Sequence, residues 1–421
     1  PLGDPWPEEA RLALVRLLGA GPAAIPVIES LDQRGLMTRT LPEWEAVRNR
    51  PQRNAYHRFT VDRHLCEAAA EAARLTTRVR RPDLLLVGAL FHDIGKGYPG
   101  DHSEAGVSLV DKIGPRLGFP PEDVAILKTL VRHHLLLADT ATRRDLTDES
   151  TVLSVAAAVG NQTTLELLAA LTEADSLATG AAAWGSWKAG LITELVERTA
   201  PVLAGRSARS APEPPPEGTA ELIARAREAG TLVLDGDGPL VTLVAPDRPG
   251  LFWRVAGTLA LHGLDVVSAR VWSSPDGFAV ERFRVQSVFG RAPDWASVES
   301  DLNRVLAGKL SLEARLADRT RAYASSPRPP SAAPPRVEVA VDNEASDSAT
   351  VIEVRAPDRI GTLYRITKAL AELELDVRLA KVTSLGHEVV DAFYVVDQGG
   401  AKLTDDEHLH EIQRGIAVHL Q

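Results

Sequence analysis

The sequence predicts a multidomain α and α+β protein, with a helical first half followed by two copies of a smaller domain. Two observations support this fold class. Apolar residues recur at helical spacing from residue 4 to about residue 200. A stretch that begins at Val241 occurs again from Val351, and Pro-rich segments lie before the first copy and between the copies. The chain therefore divides into a helical part and a duplicated part.

Length and charge limit the classes of function. The chain has 421 residues and a formal net charge of -10, so it lacks a basic field that could hold a nucleic-acid backbone. We expect a protein or small-molecule partner, and no nucleic acid. The single cysteine, Cys66, leaves no internal disulfide or thiolate metal cage. Because the chain has no long apolar run and no signal peptide, we expect a cytoplasmic protein without a membrane partner.

Composition shifts predict the domain boundaries. The Pro- and Ser-rich runs RSARSAPEPPPEG and SSPRPPSAAPP read as linkers. The predicted segments are a helical N-terminal linker region (1–50), a helical domain (51–205), a linker (206–235), a first α+β domain (236–320), a second linker (321–347) and a second α+β domain (348–421). The chain starts Pro1-Leu2-Gly3, so we expect that residues precede it.

Two helices of the first half carry histidines. A helix is predicted over Val61 to Leu75, with His64 one residue away from its apolar stripe. The segment from Leu84 to Ile94 is apolar and is followed by a glycine, which predicts a buried helix with His92 and Asp93 at its C-terminal end. Both helices can present imidazole nitrogens to one point.

Three later segments complete the helical half. Ser103 is predicted to cap the next helix, and the helix after that leads to His134. A further helix, Leu165 to Ala178, carries Glu173 and Asp175 in apolar surroundings. Because an unpaired carboxylate is costly to bury, we expect a cation or an arginine to meet them.

These polar residues form a candidate metal site. Facing helices can aim such groups inward, and mixed imidazole and carboxylate ligands suit first-row transition metals and Mg²⁺. A metal lowers the pKa of bound water to about 7, and Lys96 could neutralise a phosphoryl oxygen. On spacing alone, separate buried or surface residues are an equal alternative. The candidate ligands are His64, His92, Asp93, His102, His134 and Asp175.

The duplicated part predicts two small α+β domains. Each copy reads strand, turn, helix and strand, then another strand and a final helix. With a last strand added, that order describes a ferredoxin-like βαββαβ domain with an antiparallel sheet.

Each copy contains an Asp-Arg-x-Gly turn, at Asp247 to Gly250 and at Asp358 to Gly361. Backbone N–H groups at the start of the following helix suit the carboxylate of an amino acid, and the aspartate could take its ammonium group. On physical grounds alone, an aspartate that caps the helix is the favoured interpretation.

Ordered motifs add a family resemblance. The run FHDIGKG from Phe91 to Gly97, with His64 before it and Asp175 after it, resembles the all-helical HD superfamily of metal-dependent phosphohydrolases. The repeats resemble ACT domains. From about residue 30 onward the chain resembles the family of bifunctional PII uridylyltransferase/uridylyl-removing enzymes. The further matching motifs are Tyr56 to His64, Asp101 to Gly106, His133 to Leu136, Arg143 to Asp145, Glu173 to Ser176 and Trp187-Lys188.

The resemblance implies a phosphodiesterase that removes a nucleotidyl group, UMP or AMP, from a tyrosine of the PII nitrogen-signalling protein. It implies one or two divalent ions, Mn²⁺ or Mg²⁺ in the first place and Fe or Zn as alternatives. His64, His92, Asp93 and Asp175 would hold the first ion, and His102 and His134 a second. Asp93 and Lys96 would be the catalytic residues, with Lys96 as a phosphate clamp.

The resemblance also implies that glutamine regulates the enzyme through the ACT pair. Neither the residues nor the resemblance decides which copy binds it. The expected glutamine ligands are Asp247, Arg248, Gly250, Leu251, Asp358, Arg359, Gly361 and Thr362.

One difference from the family bears on whether the chain attaches or removes a nucleotide. The family's nucleotidyltransferase domain has a Gly-Ser turn and paired aspartates, and nothing in this sequence matches it. Asp235-Gly236-Asp237 lacks the Gly-Ser lead and is interpreted as a turn. We therefore expect this chain to remove a nucleotide and not to attach one.

Two alternative functions stay open. A guanosine-tetraphosphate hydrolase also couples HD and ACT domains, but it has two acidic residues where Gly95 to Gly97 stands here. A non-catalytic amino-acid sensor would use the HD domain only as a scaffold.

Overall fold

The computed structural model describes residues 3–52, 58–180, 183–207, 214–288, 290–324, 336–385 and 388–420. The chain forms two compact units. The first unit contains Pro1–Thr142 and Thr151–Arg209, and the second contains Arg143–Ser150 and Ser210–Gln421. Tyr56 and His57, the first two residues of the motif Tyr56 to His64, lie outside the described residues. The Pro-rich run SSPRPPSAAPP (325–335) of the second linker also lies outside them.

The first unit is helical throughout its described residues. Short 3₁₀ turns at Gly21–Ala23, Pro42–Ala46, Thr76–Arg78 and Ile94–Gly97 join some of its helices. Its α-helices are α1 (Glu8–Gly19), α2 (Ala24–Gln33), α3 (Leu36–Thr40), α4 (Val61–Ala73), α5 (Pro82–Phe91), α6 (His102–Arg116), α7 (Pro121–Arg132), α8 (Leu136–Arg143), α9 (Glu149–Val159), α10 (Gln162–Thr179) and α11 (Ser186–Leu203).

Helix α5 is the centre of this unit. Every residue from Leu84 to Phe91 is buried, and α5 contacts α1, α4, α7 and α10. A helix that is apolar on all sides is stable only when neighbours surround it. The helix was predicted to reach Ile94, but α5 ends at Phe91, so His92 and Asp93 follow directly after it.

Other helix boundaries also differ from the prediction: the predicted helix Leu165 to Ala178 is α10, which begins at Gln162. The predicted helix Val61 to Leu75 is α4, which ends at Ala73. The predicted cap at Ser103 is wrong, because α6 already begins at His102 and its N-cap is Asp101. The Asp101 Oδ1 accepts a hydrogen bond from the Glu104 backbone N–H at 2.9 Å. Aspartate and serine cap equally well, so the starting point of the helix decides between them.

No single described helix is both long and apolar enough to cross a membrane, although two bent pairs of helices reach that length and composition together.

The second unit consists of one sheet with helices. The eight strands are antiparallel to their neighbours, in the order β1-β2-β4-β3-β7-β8-β6-β5. Its elements are α12 (Thr219–Ala229), β1 (Val233–Asp237), β2 (Leu240–Pro246), α13 (Leu251–Leu261), β3 (Leu264–Ser273), β4 (Phe278–Ser287), α14 (Trp295–Leu306), α15 (Leu312–Ala324), β5 (Glu338–Asp342), β6 (Thr350–Pro357), α16 (Thr362–Glu372), β7 (Asp376–Leu385), β8 (Glu388–Val396) and α17 (Asp406–Leu420).

Each copy has the predicted α+β composition, but its order is ββαββα and not βαββαβ. Each copy begins with an edge strand that pairs with the next strand in the chain. In the first copy β1 pairs with β2, and in the second copy β5 pairs with β6. A two-residue connection between Asp237 and Leu240 makes this hairpin possible. Asp235-Gly236-Asp237 therefore lies in an edge strand, and the turn follows it at residues 238–239.

The two copies share a sheet and a core. Strands β3 and β7 pair through Ser268 with Lys381, Ala269 with Ala380 and Arg270 with Leu379. One buried apolar cluster contains residues of both copies, among them Phe283 and Phe393. The two repeats thus share one sheet and one core, and the pairing of β3 with β7 joins them.

The segment Arg143–Ser150, which runs from the last residue of α8 into the first turn of α9, belongs to this second unit. The Arg270 guanidinium pairs with Asp145 at 2.8 Å, and the Asp145 backbone N–H donates to the Tyr394 hydroxyl at 2.7 Å. Burial acts to raise the pKa of Asp145, but Arg270 holds it below its usual value. The predicted motif Arg143 to Asp145 is therefore held by the repeat sheet.

Candidate metal centre

All six predicted metal ligands lie together in the first unit. His64 stands in α4 and Asp175 in α10, while His102 is the first residue of α6. His92 and Asp93 follow α5, and His134 follows α7. Five elements thus converge at the end of the buried helix α5. The six residues form two groups of three, each with its donor atoms within 4.8 Å of one another.

The first group contains His64, His92 and Asp175. The Nε2 atoms of the two imidazoles lie 3.3 Å apart. The Asp175 Oδ1 lies 3.0 Å from Nε2 of His64 and 3.4 Å from Nε2 of His92. Both histidines are fully buried. Three donor atoms therefore point at one small volume, the arrangement that a three-ligand cation site requires.

The second group contains Asp93, His102 and His134. The Asp93 Oδ1 lies 3.4 Å from Nε2 of His134 and 3.7 Å from Nε2 of His102. The other oxygen, Oδ2, lies 3.4 Å from Nε2 of His92. Asp93 is thus the residue that connects the two groups, since each oxygen of its carboxylate faces one of them.

The second group contains polar atoms that the protein does not satisfy. Asp93 Oδ1, His102 Nε2 and His134 Nε2 are buried and have no hydrogen-bond partner. Burying a polar atom without a partner costs about 1–3 kcal/mol. Three such atoms aimed at one another fit a cation that all three would ligate.

Two imidazoles are oriented by backbone carbonyls. His92 Nδ1 lies 2.9 Å from the Ala89 carbonyl oxygen, and His134 Nδ1 lies 2.7 Å from that of Val131. A carbonyl can only accept, so Nδ1 carries the hydrogen in both rings. The lone pair is then on Nε2, the nitrogen that faces the cluster, as in histidines that bind a metal.

The electrostatics of the cluster favour a positive charge at its centre. Burial acts to lower the pKa of His92, but Asp93 and Asp175 more than offset it and raise the pKa to about 10. Burial likewise acts to raise the pKa of both aspartates, yet the neighbouring imidazoles hold the pKa of each well below its usual value. The carboxylates therefore stay ionised, and they attract a proton or a metal ion.

Lys96 lies beside the cluster on the 3₁₀ turn Ile94–Gly97. Its Nζ is 2.5 Å from Asp93 Oδ2 and donates to the Gln52 Oε1 at 3.0 Å. The side chain is 27% exposed, so its ammonium group can also meet a ligand from solvent. Gln52 was not predicted, because a lone glutamine ahead of the helix gives no signal in the sequence.

The two glycines beside Lys96 let neighbouring chain segments approach closely. A Cβ added to Gly95 would lie 1.9 Å from the His102 carbonyl oxygen, and one added to Gly97 would lie 2.6 Å from the Ala46 Cβ. A side chain at Gly95 would push the turn away from α6, and one at Gly97 would push it away from the 3₁₀ turn Pro42–Ala46. The glycine at position 95 thus lets the turn that carries Lys96 lie against His102.

The carboxylates of α10 have the partners that burial requires. Glu173 pairs with Arg78 at 3.1 Å, and Asp175 meets the imidazoles of the first group. This confirms the expected arginine for Glu173, while Asp175 meets histidines in place of an arginine. Lys188 of α11 donates to the Ser176 hydroxyl at 3.3 Å, and burial lowers its pKa.

The repeated turns lie in the second unit, one in each copy. Gly250 and Gly361 are the N-cap residues of α13 and α16, with φ of 77° and 80°. Neither Asp247 nor Asp358 therefore occupies the N-cap position. The Asp247 carboxylate instead accepts from the Ser273 hydroxyl at 3.3 Å.

Models of known domain families match three parts of the chain. The HD domain matches residues 61–179. The ACT domain matches residues 240–292, and the ACR family N-terminal ACT domain matches residues 345–420. These matches confirm the resemblance of the helical half to HD proteins and of the repeats to ACT domains.

Curated relatives carry one shared name, bifunctional uridylyltransferase/uridylyl-removing enzyme. That of Streptomyces coelicolor is 45% identical over 468 aligned positions, covering 100% of this chain and 56% of the relative. That of Mycobacterium tuberculosis is 41% identical, covering 98% of this chain and 52% of the relative. That of Gluconobacter oxydans is 34% identical, covering 93% and 48%. The chain thus spans about half the length of the relatives it matches.

Proposed function

Because the chain belongs to the family of bifunctional uridylyltransferase/uridylyl-removing enzymes over the part that it spans, we propose that it removes nucleotidyl groups hydrolytically. The substrate is a PII-type signalling protein that carries the nucleotide on a tyrosine. The bond cleaved is the phosphodiester between the nucleotide and the phenol oxygen. The relatives are named for uridylyl removal, which favours UMP over AMP.

One observation carries this proposal. Six imidazole and carboxylate donors meet at the end of a buried helix, and three of their buried atoms have no hydrogen-bond partner. His64, His92, Asp93 and Asp175 would hold one divalent ion. His102 and His134 would hold a second, together with the other oxygen of Asp93. Neutral imidazoles and carboxylates suit Mn²⁺ or Mg²⁺ at the carboxylate-rich positions, and Fe or Zn where imidazoles dominate.

The residues around the ion would hold it, orient its ligands and neutralise charge on the substrate. When bound, a divalent ion supplies Lewis acidity and an activated water. Asp93 is kept ionised by its neighbours, and the carbonyls behind His92 and His134 fix the direction of both rings. Lys96 places a positive charge beside Asp93, where it neutralises the phosphoryl oxygens as their negative charge grows in the transition state.

The leaving group makes this chemistry easier. Tyrosine has a phenol pKa of about 10, so its phenolate leaves far more readily than the alkoxide of serine or threonine. A strong general acid is therefore not required. This agrees with a cluster in which the carboxylates have lowered pKa values and cannot act as proton donors at neutral pH.

Regulation is assigned to the second unit. The tandem ACT copies form one sheet, and we assign glutamine as the amino acid that they sense. The duplicated Asp-Arg-x-Gly turns supply the carboxylates and helix N-termini that an amino acid needs. Nucleotide removal is then the catalytic output and glutamine its effector.

Release of free nucleotide tests the proposal. Nucleotidylated PII-type protein is incubated with the chain and Mn²⁺, and the released nucleotide is measured by chromatography. The double variant His92→Ala, Asp93→Ala should lose this release, while His133→Ala, a half-buried histidine next to the cluster, should keep it. Release that persists in the double variant would show that chemistry occurs elsewhere.

A further inference from the structure

Four cationic side chains line one cavity on the sheet of the second unit. The cavity has a volume of about 220 Å³, far more than the about 15 Å³ that one water molecule needs. Its lining contains Arg270, Arg282, Arg284 and Lys381, and none of the described residues that line it carries a carboxylate. A chain with a formal net charge of -10 thus concentrates positive charge at this place.

The strand register brings these side chains together. In the pairing of β4 with β3, Arg282 lies directly opposite Arg270, and Arg284 lies opposite Ser268. In the pairing of β3 with β7, Ser268 lies opposite Lys381. Side chains that lie directly opposite each other have Cβ atoms about 5 Å apart. The four cationic groups are therefore neighbours across three adjacent strands.

The cavity lies on the face of the sheet away from the shared apolar core. Phe283 and Val285, which alternate with the two arginines along β4, belong to that core. Because successive side chains of a strand point to opposite faces, Arg282 and Arg284 point away from it. Both arginines are half-buried, so a ligand from solvent can reach them.

The arrangement has an electrostatic cost. Like charges directly opposite each other destabilise a sheet. Arg270 is offset by a carboxylate of the chain itself, because its guanidinium pairs with Asp145 at 2.8 Å. Arg282 and Arg284 make no ion pair with any residue in the described part of the chain. A bound anion would remove this repulsion between neighbouring arginines.

The residue types in the cavity favour phosphate groups. A guanidinium forms two parallel hydrogen bonds to phosphate oxygens, and it stays charged at every physiological pH. One arginine is enough for a single carboxylate, whereas the attraction of several cationic groups adds up on a ligand with several negative charges. The cavity therefore fits an anion with more than one phosphate.

Trp272 adds an aromatic surface to the same cavity. It follows Arg270 by two residues on β3, so both lie on one face of the strand, and both line the cavity. An indole ring is a surface on which a nucleotide base stacks. A nucleotide would therefore use both the arginines and the indole, whereas an inorganic polyphosphate would use the arginines alone.

We propose that this cavity binds a small molecule with several phosphate groups, a nucleoside triphosphate in the first place, through Arg282 and Arg284. Arg270 and Lys381 border the phosphates, and Trp272 contacts the base. No lining residue belongs to the metal cluster or to the Asp-Arg-x-Gly turns. The phosphate site is therefore separate from the site proposed for hydrolysis and from the turns proposed for glutamine.

Isothermal titration of the full chain tests this proposal. The chain is first stripped of metal and desalted, so that the metal cluster holds no ion that could bind phosphate. The probes are ATP and inorganic tripolyphosphate. The wild type should bind one equivalent of ATP. The double variant Arg282→Gln, Arg284→Gln should weaken this binding by about tenfold or more, because two charge-assisted contacts are lost.

The matched control is the double variant Arg291→Gln, Arg315→Gln. It has the same net charge, and both of its arginines are exposed and lie outside the cavity. It should bind ATP within about twofold of the wild type, because a substitution away from the ligand has little effect. An equal loss in this control would show that only the overall charge attracts the nucleotide, and would overturn the site. A wild type that binds neither probe would overturn it as well.

Trp272→Leu separates the two sources of phosphate. It should weaken ATP binding by about fivefold or more, through loss of stacking, and leave tripolyphosphate binding unchanged. Equal affinities for both probes, unchanged in this variant, would identify inorganic polyphosphate as the ligand and would support the phosphate site.

The double variant Arg282→Lys, Arg284→Lys keeps the charge and the apolar stems, so it separates lost recognition from lost folding. It lacks the planar fork of arginine. It should therefore bind ATP more weakly than the wild type but more tightly than the glutamine variant. Wild-type affinity in the lysine variant would overturn the assignment of the guanidinium groups.

Discussion

Buried carboxyl groups occur in both units of this protein, but their surroundings are opposite. In the helical unit, Asp93 and Asp175 lie among imidazoles, which hold the pKa of each well below its usual value. In the described part of the sheet unit, Glu281 and Asp391 are buried without an ion pair, and burial raises the pKa of each. The same residue class is thus kept ionised in one unit and neutral in the other.

The difference indicates what each place can bind. Ionised carboxylates with lone-pair nitrogens attract a cation, and the cluster gains stability when one is present. Neutral carboxyl groups in an apolar sheet attract no ion but can exchange hydrogen bonds with a small polar ligand. We therefore assign catalysis to the first set.

The largest expected effect concerns the residue that connects the two ligand groups. Asp93→Asn removes a negative charge while keeping the size of the side chain, so one or both ions lose a ligand. We expect kcat/KM for nucleotide removal to fall by about 10³-fold or more, as for loss of a key electrostatic group. Steady-state kinetics together with metal analysis of the purified variant measure this.

Glu173→Gln is the matched control for this variant. Glu173 lies on α10, two residues before the ligand Asp175, but it pairs with Arg78 and not with the cluster. It should keep both activity and metal content. An Asp93→Asn variant as active as this control would contradict the assignment of Asp93.

The second effect concerns the neutral carboxyl group. Because the pKa of Glu281 is raised to about 8 when folded, the folded chain keeps a proton that the unfolded chain loses above its normal pKa. Stability therefore falls as pH rises from about 4.5 to about 8. Glu281→Gln should remove about 4 kcal/mol of that fall between pH 5 and pH 8.5. Urea unfolding of wild type and variant at pH 5 and pH 8.5 gives the difference.

The opposite sign would break the comparison between the units. If Glu281→Gln costs more stability at pH 8.5 than at pH 5, the carboxylate is ionised and paired in the fold. Glu281 would then resemble Asp93, and the sheet would not contain a neutral acid.

The third effect is stabilisation by the metal. A cation that binds the folded cluster at 100 times its Kd raises the free energy of unfolding by about 2.7 kcal/mol. Adding Mn²⁺ to the chelator-treated chain should therefore raise the melting temperature of the wild type. The His64→Ala variant should show a smaller shift, and equal shifts in both would indicate that the ion binds outside the cluster.

The smallest effect concerns Lys96. Lys96→Met keeps the length of the side chain but removes its charge, so the metal ligands stay in place. We expect kcat to fall by about 10- to 100-fold, within the range for a single electrostatic group. Metal content should equal that of the wild type. A joint loss of metal and activity would make Lys96 a residue that positions Asp93 and not a phosphate clamp.

Much of the candidate metal site could be predicted because its residues follow local helix signals. His64 lies beside an apolar stripe, and His92 and Asp93 follow an apolar run. A division into two ligand sets was implied only by the family resemblance. The position of Asp93 between the two groups could not be predicted, since it depends on how five elements meet in space. The cap at Asp101 was missed because the start of a helix is uncertain by a residue or two.

The sheet unit was predicted in composition but not in strand order. The short β1 contains Asp235-Gly236-Asp237, which reads locally as a turn, and only its pairing with β2 makes it a strand. The sequence also did not predict that Arg143 to Asp145 belong to the sheet unit. An ion pair joins Asp145 to Arg270, far along the chain, and helical periodicity carries no information about such pairs.

The central claim is that the cluster of histidines and aspartates is a metal centre that cleaves the nucleotidyl–tyrosine bond. Intact-protein mass spectrometry of a nucleotidylated PII-type protein tests it most directly, after incubation with the chain in chelator and again after Mn²⁺ is restored. The account predicts that the substrate loses one nucleotidyl mass per modified tyrosine only when metal is present. Equal loss in chelator, or no loss in either condition, would contradict it.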